Sequence, residues 1–568
     1  MQSYQRDRLI AFAVSVVVFF LYLPGLNYHK LLGEFFYNTP LRILNGELPG
    51  KDVHIHYGVL RYYLWALMYV LFGVKTVTLR ILAPVTLALM SGSAYLVARK
   101  LRINLLLSLI CAVVVLHTMT ATYAIDYFSP ISDRHLFAFI GILIVHQLIS
   151  SHSRKLYVIA GLYIAVTISF AQETGIYLLA AYLAFMGVIG IITVKGKYSY
   201  ISLRELSQRN VFALAGFAAY MIPLILYLSG KGILLNIYQD LFVDISKLYS
   251  YGHLNFSNLA SLAVVPQSFS VQDLKFSFLI FRFFFIIGLY AGIGIWIFKK
   301  ILRSQNVSND KLFLTFVLLY GVFSAFTAIR AFDSQHVTFI SQPFYFLAVW
   351  TLQQIYRSFQ AAADPPAAEK QPRRSENLQF NAGRLKSLLS TIMVLIIAAN
   401  LLFSALIVCK VLINTYLLKG FEFSSVHAPN ILVVDTPELR DYTAALQYIQ
   451  DEVPEGEPVF SLEKANAVTN FLVNRPNVTE YDVAHHFVLS QELRSRELPK
   501  IINQISSVRY ILIWRKMVER ENNTGSDLYR GETNIPFEYY YQDYYDYVFK
   551  YFRMDKKFGT FEVWIRKD

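Results

Sequence analysis

Residues 33–63 read GEFFYNTPLRILNGELPGKDVHIHYGVLRYY. The stretch follows an apolar run, 9–25, but is too polar to enter a lipid bilayer. It brings Glu34, Arg42, Glu47, Asp52, His54, His56 and Arg61 close together. Nearly everything else in the first 415 residues is apolar. The loop therefore reads as one wall of a site at a membrane surface, surrounded by helices that cross that membrane.

Composition supports this. Of 568 residues, 55% are hydrophobic and only 16% are charged, whereas soluble domains carry about 25% charged residues. Lys and Arg exceed Asp and Glu by 52 to 39. In a soluble chain such an excess suggests nucleic acid. Here the basic residues fall in short clusters between apolar runs, which is the orientation signal of membrane helices, and no nucleic-acid partner is expected. Cys111 and Cys409 both lie in apolar runs, so no disulfide framework is expected.

The first run, 9–25, follows Arg6 and Arg8 and has no small-residue cleavage site, so it is expected to be an uncleaved anchor entered from the cytoplasm. Residues 35–45 look amphipathic and stop at Asn45-Gly46. The 15 apolar residues 59–73 would extend roughly 22 Å as a helix, short of the ~30 Å hydrocarbon core. They are expected to lie along the surface. Further spans are expected at about 77–98, 103–122, 135–150, 156–172, 175–194, 211–229, 276–298, 312–329, 336–355 and 387–414. With about eleven spans, every alternate loop is basic, from Arg99, Lys100 and Arg102 to Arg357, Arg373 and Arg374.

Residues 360–383 are Ala/Pro-rich and charged, as in a disordered cytoplasmic linker. The predicted division is a membrane domain over 1–415 and a smaller extracytoplasmic domain over 416–568. In the second, 431–435, 458–462, 510–514 and 561–564 read as buried strands, with helices over 437–453 and 490–507. This alternation is that of a small α/β domain. The run 539–548, YYYQDYYDYV, suits either a carbohydrate-stacking face or a membrane-interface surface.

The expected outer loops collect Glu34, Asp52, His54 and His56 first. Asp126, Asp133, Arg134 and His135 come next, then Gln172 and Glu173, then Arg330, Asp333 and His336. Ionisable groups at a bilayer edge are costly unless paired or functional. Carboxylates can act as general bases or hold a divalent cation, and arginines fit phosphate. A reaction on this side cannot draw on cytoplasmic nucleotide sugars. It needs a donor carried in the lipid, such as a sugar on a polyprenyl phosphate, with a base for the acceptor and positive charge for the departing phosphate. Each group also has an ordinary reading: Asp133-Arg134 as a local ion pair, Glu173 as a helix-end residue, Arg330, Asp333 and His336 as an interfacial cluster. Glu34, Asp52, His54 and His56 are the metal-ligand candidates, but two imidazoles are too few to fix a metal site, so a divalent metal stays open.

The segments LNGELPGKDVHIHYGVLRYYLWALMYVLFG and TLRILAPV resemble the GT-C superfamily of integral-membrane glycosyltransferases. The likeness is to the polyprenyl- or dolichyl-phosphate-mannose mannosyltransferase-like group that includes bacterial aminoarabinose transferases. It rests on Gly46, Pro49, Asp52, Tyr57, Gly58, Tyr62 and Tyr63, and on SPISDRH and FAQETG, and covers roughly residues 5–355. The resemblance implies a mainly α, polytopic GT-C bundle in a bacterial plasma membrane. It also implies inverting transfer from a polyprenyl-phosphate sugar to a glycan, lipid or protein acceptor, with an acidic residue of the first loop as base. The group's Asp-Glu pair is replaced here by residues 29–34, HKLLGE, and Val59 follows Tyr57-Gly58 where the group often has Pro. Glu34 and Asp52 are thus the two candidates for the base, and Arg134 and Arg330 the candidates for the donor phosphate. His54, His56, Tyr57, Asp126, Asp133, Glu173, Asp333 and His336 are expected in support. The rival reading is a lipid-linked saccharide transporter or a non-catalytic scaffold in envelope polysaccharide assembly. A transporter should carry internal repeats and mid-membrane charges. No repeat is visible, and the ionisable groups gather at helix ends.

Overall fold

The computed structural model describes residues 2–23, 26, 28–29, 35–122, 131–151, 153–198, 200–244, 271–330, 334–363, 420–462, 466–482, 491–515 and 538–567. The expected linker 360–383, past residue 363, and the expected last span, 387–414, lie outside them.

Helices occupy the other ten expected spans. They are α1 (Gln2–Tyr22), α5 (Leu82–Lys100), α6 (Leu105–Thr122), α7 (Ile131–Ser151), α8 (Arg154–Phe170), α9 (Gln172–Val194), α10 (Leu203–Gly230), α12 (Val271–Arg303), α13 (Asn309–Ser324) and α15 (Ser334–Ala363). The short helices are α2 (Asn38–Leu44), α3 (Val59–Phe72), α4 (Thr76–Arg80), α11 (Leu234–Tyr238) and α14 (Phe326–Arg330). Among the described residues, six helical segments are long and apolar enough to cross a membrane, and the chain is an integral membrane protein.

Local chemistry sets the boundaries. Ser202 caps α10 by accepting from the Glu205 N–H while Glu205 reaches back to the Ser202 N–H, a reciprocal pair that satisfies two helix-end donors. Between α8 and α9 the backbone breaks at Ala171, at φ −140° and ψ 80°, so 156–194 does divide in two. Bundle helices approach closely where side chains are absent. A Cβ on Gly161 would lie 1.8 Å from the Ala213 carbonyl oxygen, and one on Gly216 2.1 Å from that of Val158. Small residues let helices approach in this way where lipid leaves little hydrophobic force between them.

The α3 helix has 14 residues, about 21 Å at 1.5 Å per residue. It buries Arg61, Tyr62, Trp65 and Tyr69 and exposes Leu64, Leu67, Val70, Leu71 and Phe72, an apolar face suited to lie on lipid.

The C-terminal region contains two sheets. The first has the order β1 (Tyr28–His29), β3 (Ala428–Val434), β2 (Gly420–Ser425). The second has the order β4 (Val459–Leu462), β5 (Tyr510–Trp514), β7 (Phe561–Arg566), β6 (Phe552–Phe558), with β4 and β5 parallel and the other pairs antiparallel. Its helices are α16 (Pro437–Glu452), α17 (Asn466–Val473), α18 (Gln491–Ile505) and α19 (Glu538–Tyr551). The predicted strands coincide with β3, β4, β5 and β7. In β4, β5 and β7 the runs are apolar because both faces are covered: Val459, Leu512 and Val563 join one core, and Phe460, Ile511 and Trp564 another. In β3, Ile431 and Val433 join the first. The tyrosine run folds as α19, with Tyr544 and Tyr545 buried in the second of these cores. That corrects both surface readings of these two residues: a helix periodicity turns them inward.

The first loop belongs to this region as much as to the bundle. Strand β1 pairs with β3 at Leu432 and Val433. Phe36, Tyr37, Ile55 and Trp65 share a core with Leu439, Phe471 and Phe561.

The close crossing of α8 and α10 yields a test. Gly161→Val should lower the thermal unfolding temperature of the detergent-solubilised protein, at a cost of about 1–3 kcal/mol from overpacking. Gly187→Ala, where a Cβ meets nothing within 4 Å, should leave it unchanged or slightly higher.

Candidate functional site

The first loop is fixed by a buried carboxylate. Asp482 accepts from Asn38 Nδ2 at 3.0 Å, Thr39 Oγ1 at 2.5 Å and Arg42 Nη1 at 3.1 Å. Arg42 also donates to Glu47, to the Thr479 carbonyl at 2.9 Å and to the Asp52 carbonyl at 2.6 Å. Both Arg42 and Asp482 are buried. The Asp52 carboxylate accepts from the Leu48 N–H at 2.8 Å, closing a turn within its own loop. The structure thus gives Asp52 a loop-shaping position.

From that anchor the chain runs to His54 and His56, whose rings lie 4.9 Å apart. The His54 N–H donates to the Glu480 carbonyl at 2.7 Å, and its Nε2 lies 3.3 Å from Asp240 Oδ1. Asp240 accepts from the Ile55 N–H as well. It sits in a π-helical turn, Gln239–Asp244, that follows α11. Asp244 in the same turn accepts from Gln239 Nε2 and Arg496 Nη2, both at 2.8 Å. Arg496 also pairs with Glu497, which accepts from Tyr481 and Lys500. One ligand atom each from His54, Asp240 and Asp244 fall within 4.8 Å of one another. Among the described residues this is the group able to hold a divalent cation, and a nitrogen with two carboxylates suits a borderline metal. Of the predicted metal ligands within the described residues, His54 belongs to it and Asp52 and His56 do not.

Burial pushes the His54 imidazole well below its ordinary range, helped by His56 and Arg496. It pushes His56 down to about 4, although Asp482 opposes the shift. The Asp240 carboxyl is pushed well up, by burial first and then by Asp244, Glu480 and Glu497. These shifts reflect the cost of charge away from water.

Beyond His56 the loop meets the bundle. The His56 carbonyl accepts from Gln172 Nε2 at 3.2 Å, and its N–H donates to the Tyr62 hydroxyl. Gly58 lies against the end of α8; a Cβ there would fall 2.1 Å from the Ser169 carbonyl oxygen. Arg61, fully buried, donates to Asp133 at 2.7 Å. Arg134 donates to Glu173 at 3.3 Å. The two guanidinium carbons lie 4.7 and 4.9 Å from the Tyr57 ring centroid, and Arg61 also faces Phe170 and Trp65. Two cations, each matched by a carboxylate, thus meet on one aromatic ring.

The structure therefore brings together His54, His56, Tyr57, Asp133, Arg134 and Glu173 from three separate predicted loops. Glu34, Asp126 and Asp333 lie outside the described residues. Of Arg330 and His336 only the backbone is described, ending α14 and near the start of α15. Sequence reasoning counted Arg61 among the charged residues of the first loop without giving it a role, and did not single out Asp240 or Asp244. The available signal was an arginine inside an otherwise apolar 14-residue helix, and a carboxylate pair four residues apart after a span.

No protein-family model matches this chain, and no curated protein matches it. Among solved structures, ArnT from Cupriavidus metallidurans bound to undecaprenyl phosphate matches with a TM-score of 0.51 and 12% identity, over 98% of this chain and 97% of that one. The apo state of the same protein matches with a TM-score of 0.49 and 13% identity over the same shares. The arabinosyltransferase EmbB from Mycobacterium smegmatis gives a TM-score of 0.37 and 11% identity, over 71% of this chain and 40% of that one. At such identities the likeness to ArnT is one of fold, and it extends over both the helical bundle and the C-terminal region.

Because unfolded histidine takes its proton near 6.5 and His56 only near 4, the unfolded state binds more protons between those values. Stability should then fall as pH drops through that window. Melting temperature followed from pH 7 to pH 4 should decline less steeply in His56→Gln than in the unaltered protein.

Proposed function

We propose that this chain is a glycosyltransferase of GT-C type that moves a sugar from a polyprenyl-phosphate donor to a glycan, lipid or protein acceptor, with inversion. The observation that carries the reading is the meeting of Arg61 and Arg134 on the Tyr57 ring, each with its own carboxylate. It is supported by a fold shared with ArnT, a protein crystallised with undecaprenyl phosphate.

In the proposed step an acceptor oxygen attacks the anomeric carbon. Its proton passes to a carboxylate base, and the bond from that carbon to the phosphate oxygen breaks with its electron pair, releasing polyprenyl phosphate. Developing charge on the phosphate is met by Arg134, with Arg61 held beside it; fixed positive charge aimed at a leaving group is commonly a large part of such catalysis. Arg330 remains a candidate for the same role. Glu34 is the preferred base, since the Asp52 carboxylate is engaged with Leu48 in its own turn. The polar end of the bundle and the C-terminal region face the non-cytoplasmic side of the membrane in this reading, in keeping with the basic loops at the other end.

Transfer of labelled hexose or pentose from a polyprenyl-phosphate donor tests the proposal. Arg134→Met should lower turnover about 10²–10³-fold, and Glu34→Gln at least about 10²-fold. Full turnover in both variants would overturn these assignments, and no transfer from any polyprenyl-phosphate sugar by the unaltered protein would overturn the activity.

A divalent cation held by His54, Asp240 and Asp244 forms part of the reading, tying the first loop to the π-helical turn. Zn²⁺ or Mn²⁺ should raise the melting temperature, a chelator should reverse the rise, and Asp240→Asn should abolish it. An unaltered melting temperature would remove the metal.

A further inference from the structure

A second polar site lies at the opposite end of the bundle. Helix α7 runs from Asp133 at the candidate site to His146, a rise of about 20 Å at 1.5 Å per residue. There a cavity of about 340 Å³ is lined by Arg99, Lys100, Arg102, His146, Asn309 and Asp310, among others. His146 Nδ1 is buried and meets no hydrogen-bond partner among the described residues.

The turn that supplies the arginines is built at a cost. Arg102 N–H donates to the Arg99 carbonyl and Ile103 N–H to that of Ala98, the paired bonds that end a helix with one left-handed residue. That residue is Arg102, at φ +59°, where glycine is the usual choice because a Cβ is disfavoured there. Gln353, itself buried, holds the turn by donating to the Arg102 carbonyl at 2.8 Å and accepting from the Asn104 N–H at 2.7 Å. The Arg102 side chain is largely exposed and pairs with Asp310 at 2.8 Å, an exposed ion pair of the kind that contributes little to stability. A fold that needed only the turn would be better served by glycine.

The surrounding charge is positive. Arg99 is matched by Asp7. Lys100 and Arg8 both sit on the Tyr4 ring, at 4.3 and 4.2 Å. In this group four cations face two carboxylates.

We propose that this cavity binds a phosphate group, carried by a lipid headgroup of the leaflet at this end or present free in solution, with Arg102 and Lys100 as its cationic contacts. Guanidinium and ammonium donors around a cavity at a membrane boundary suit that chemistry.

The test uses the full chain in detergent, with phosphatidic acid and phosphatidylcholine titrated separately and binding read by native mass spectrometry and thermal shift. Phosphatidic acid should bind more tightly. Arg102→Gly should weaken it about tenfold, the loss of one charge-assisted hydrogen bond, while the lipid-free melting temperature stays the same or rises. Arg102→Lys should retain most of the binding. Competition by inorganic phosphate would identify free phosphate as a ligand, and its failure to compete would assign the site to lipid. Equal binding of the two lipids would overturn the proposal. So would Arg102→Gly that lowers the lipid-free melting temperature and leaves phosphatidic acid binding intact, since Arg102 would then be a structural tie to Asp310.

Discussion

The buried ion pair of Arg42 and Asp482 joins the two halves of this protein. Taking both charges out of water is expensive, and the cost is offset only when remaining donors and acceptors are satisfied. Here they are: Asn38, Thr39 and Asn477 complete the carboxylate, while Glu47 and two carbonyls complete the guanidinium. Such a node is valuable less for net stability than for register, because a shifted loop would leave buried charge unpaired. The position of residues 38–52 against the C-terminal region follows from it.

That register fixes what comes next in the chain. His54 is anchored through its backbone to Glu480 and lies beside Asp240, while Tyr57 is carried to the ends of α7 and α9. Gly58 lets the loop lie directly on the α8 backbone. The candidate site is therefore neither a bundle site nor a loop site alone. Its histidines depend on the C-terminal region, its arginines on helix packing, and Tyr57 links them.

The two ends of the bundle differ in kind. At one, charges are matched pairwise, Arg61 buried in an aromatic surround with Asp133, and Arg134 partly buried with Glu173. At the other, cations outnumber carboxylates and remain partly exposed. The first arrangement holds a fixed geometry in a low-dielectric setting, where each charge acts strongly. The second is screened by solvent and depends on the membrane's own charge.

The amino-acid sequence by itself determined where the helices lie, because apolar runs of span length have few other outcomes in lipid. It also located β3, β4, β5 and β7; in the last three the apolar runs reflect burial on both faces. It could not locate β6, an edge strand reading FRMDKKF, whose charges suit an exposed border and mask its pairing. Nor did it separate the acidic candidates: Asp52 looks catalytic beside Tyr57-Gly58, yet turns to Leu48, while Asp240 looks ordinary within NIYQDLFVD and meets His54. Hydropathy is a property of neighbours in the chain and can be read locally. Which carboxylate faces which imidazole depends on contacts between residues 186 positions apart, as with His54 and Asp240, and only the packed tertiary structure decides them.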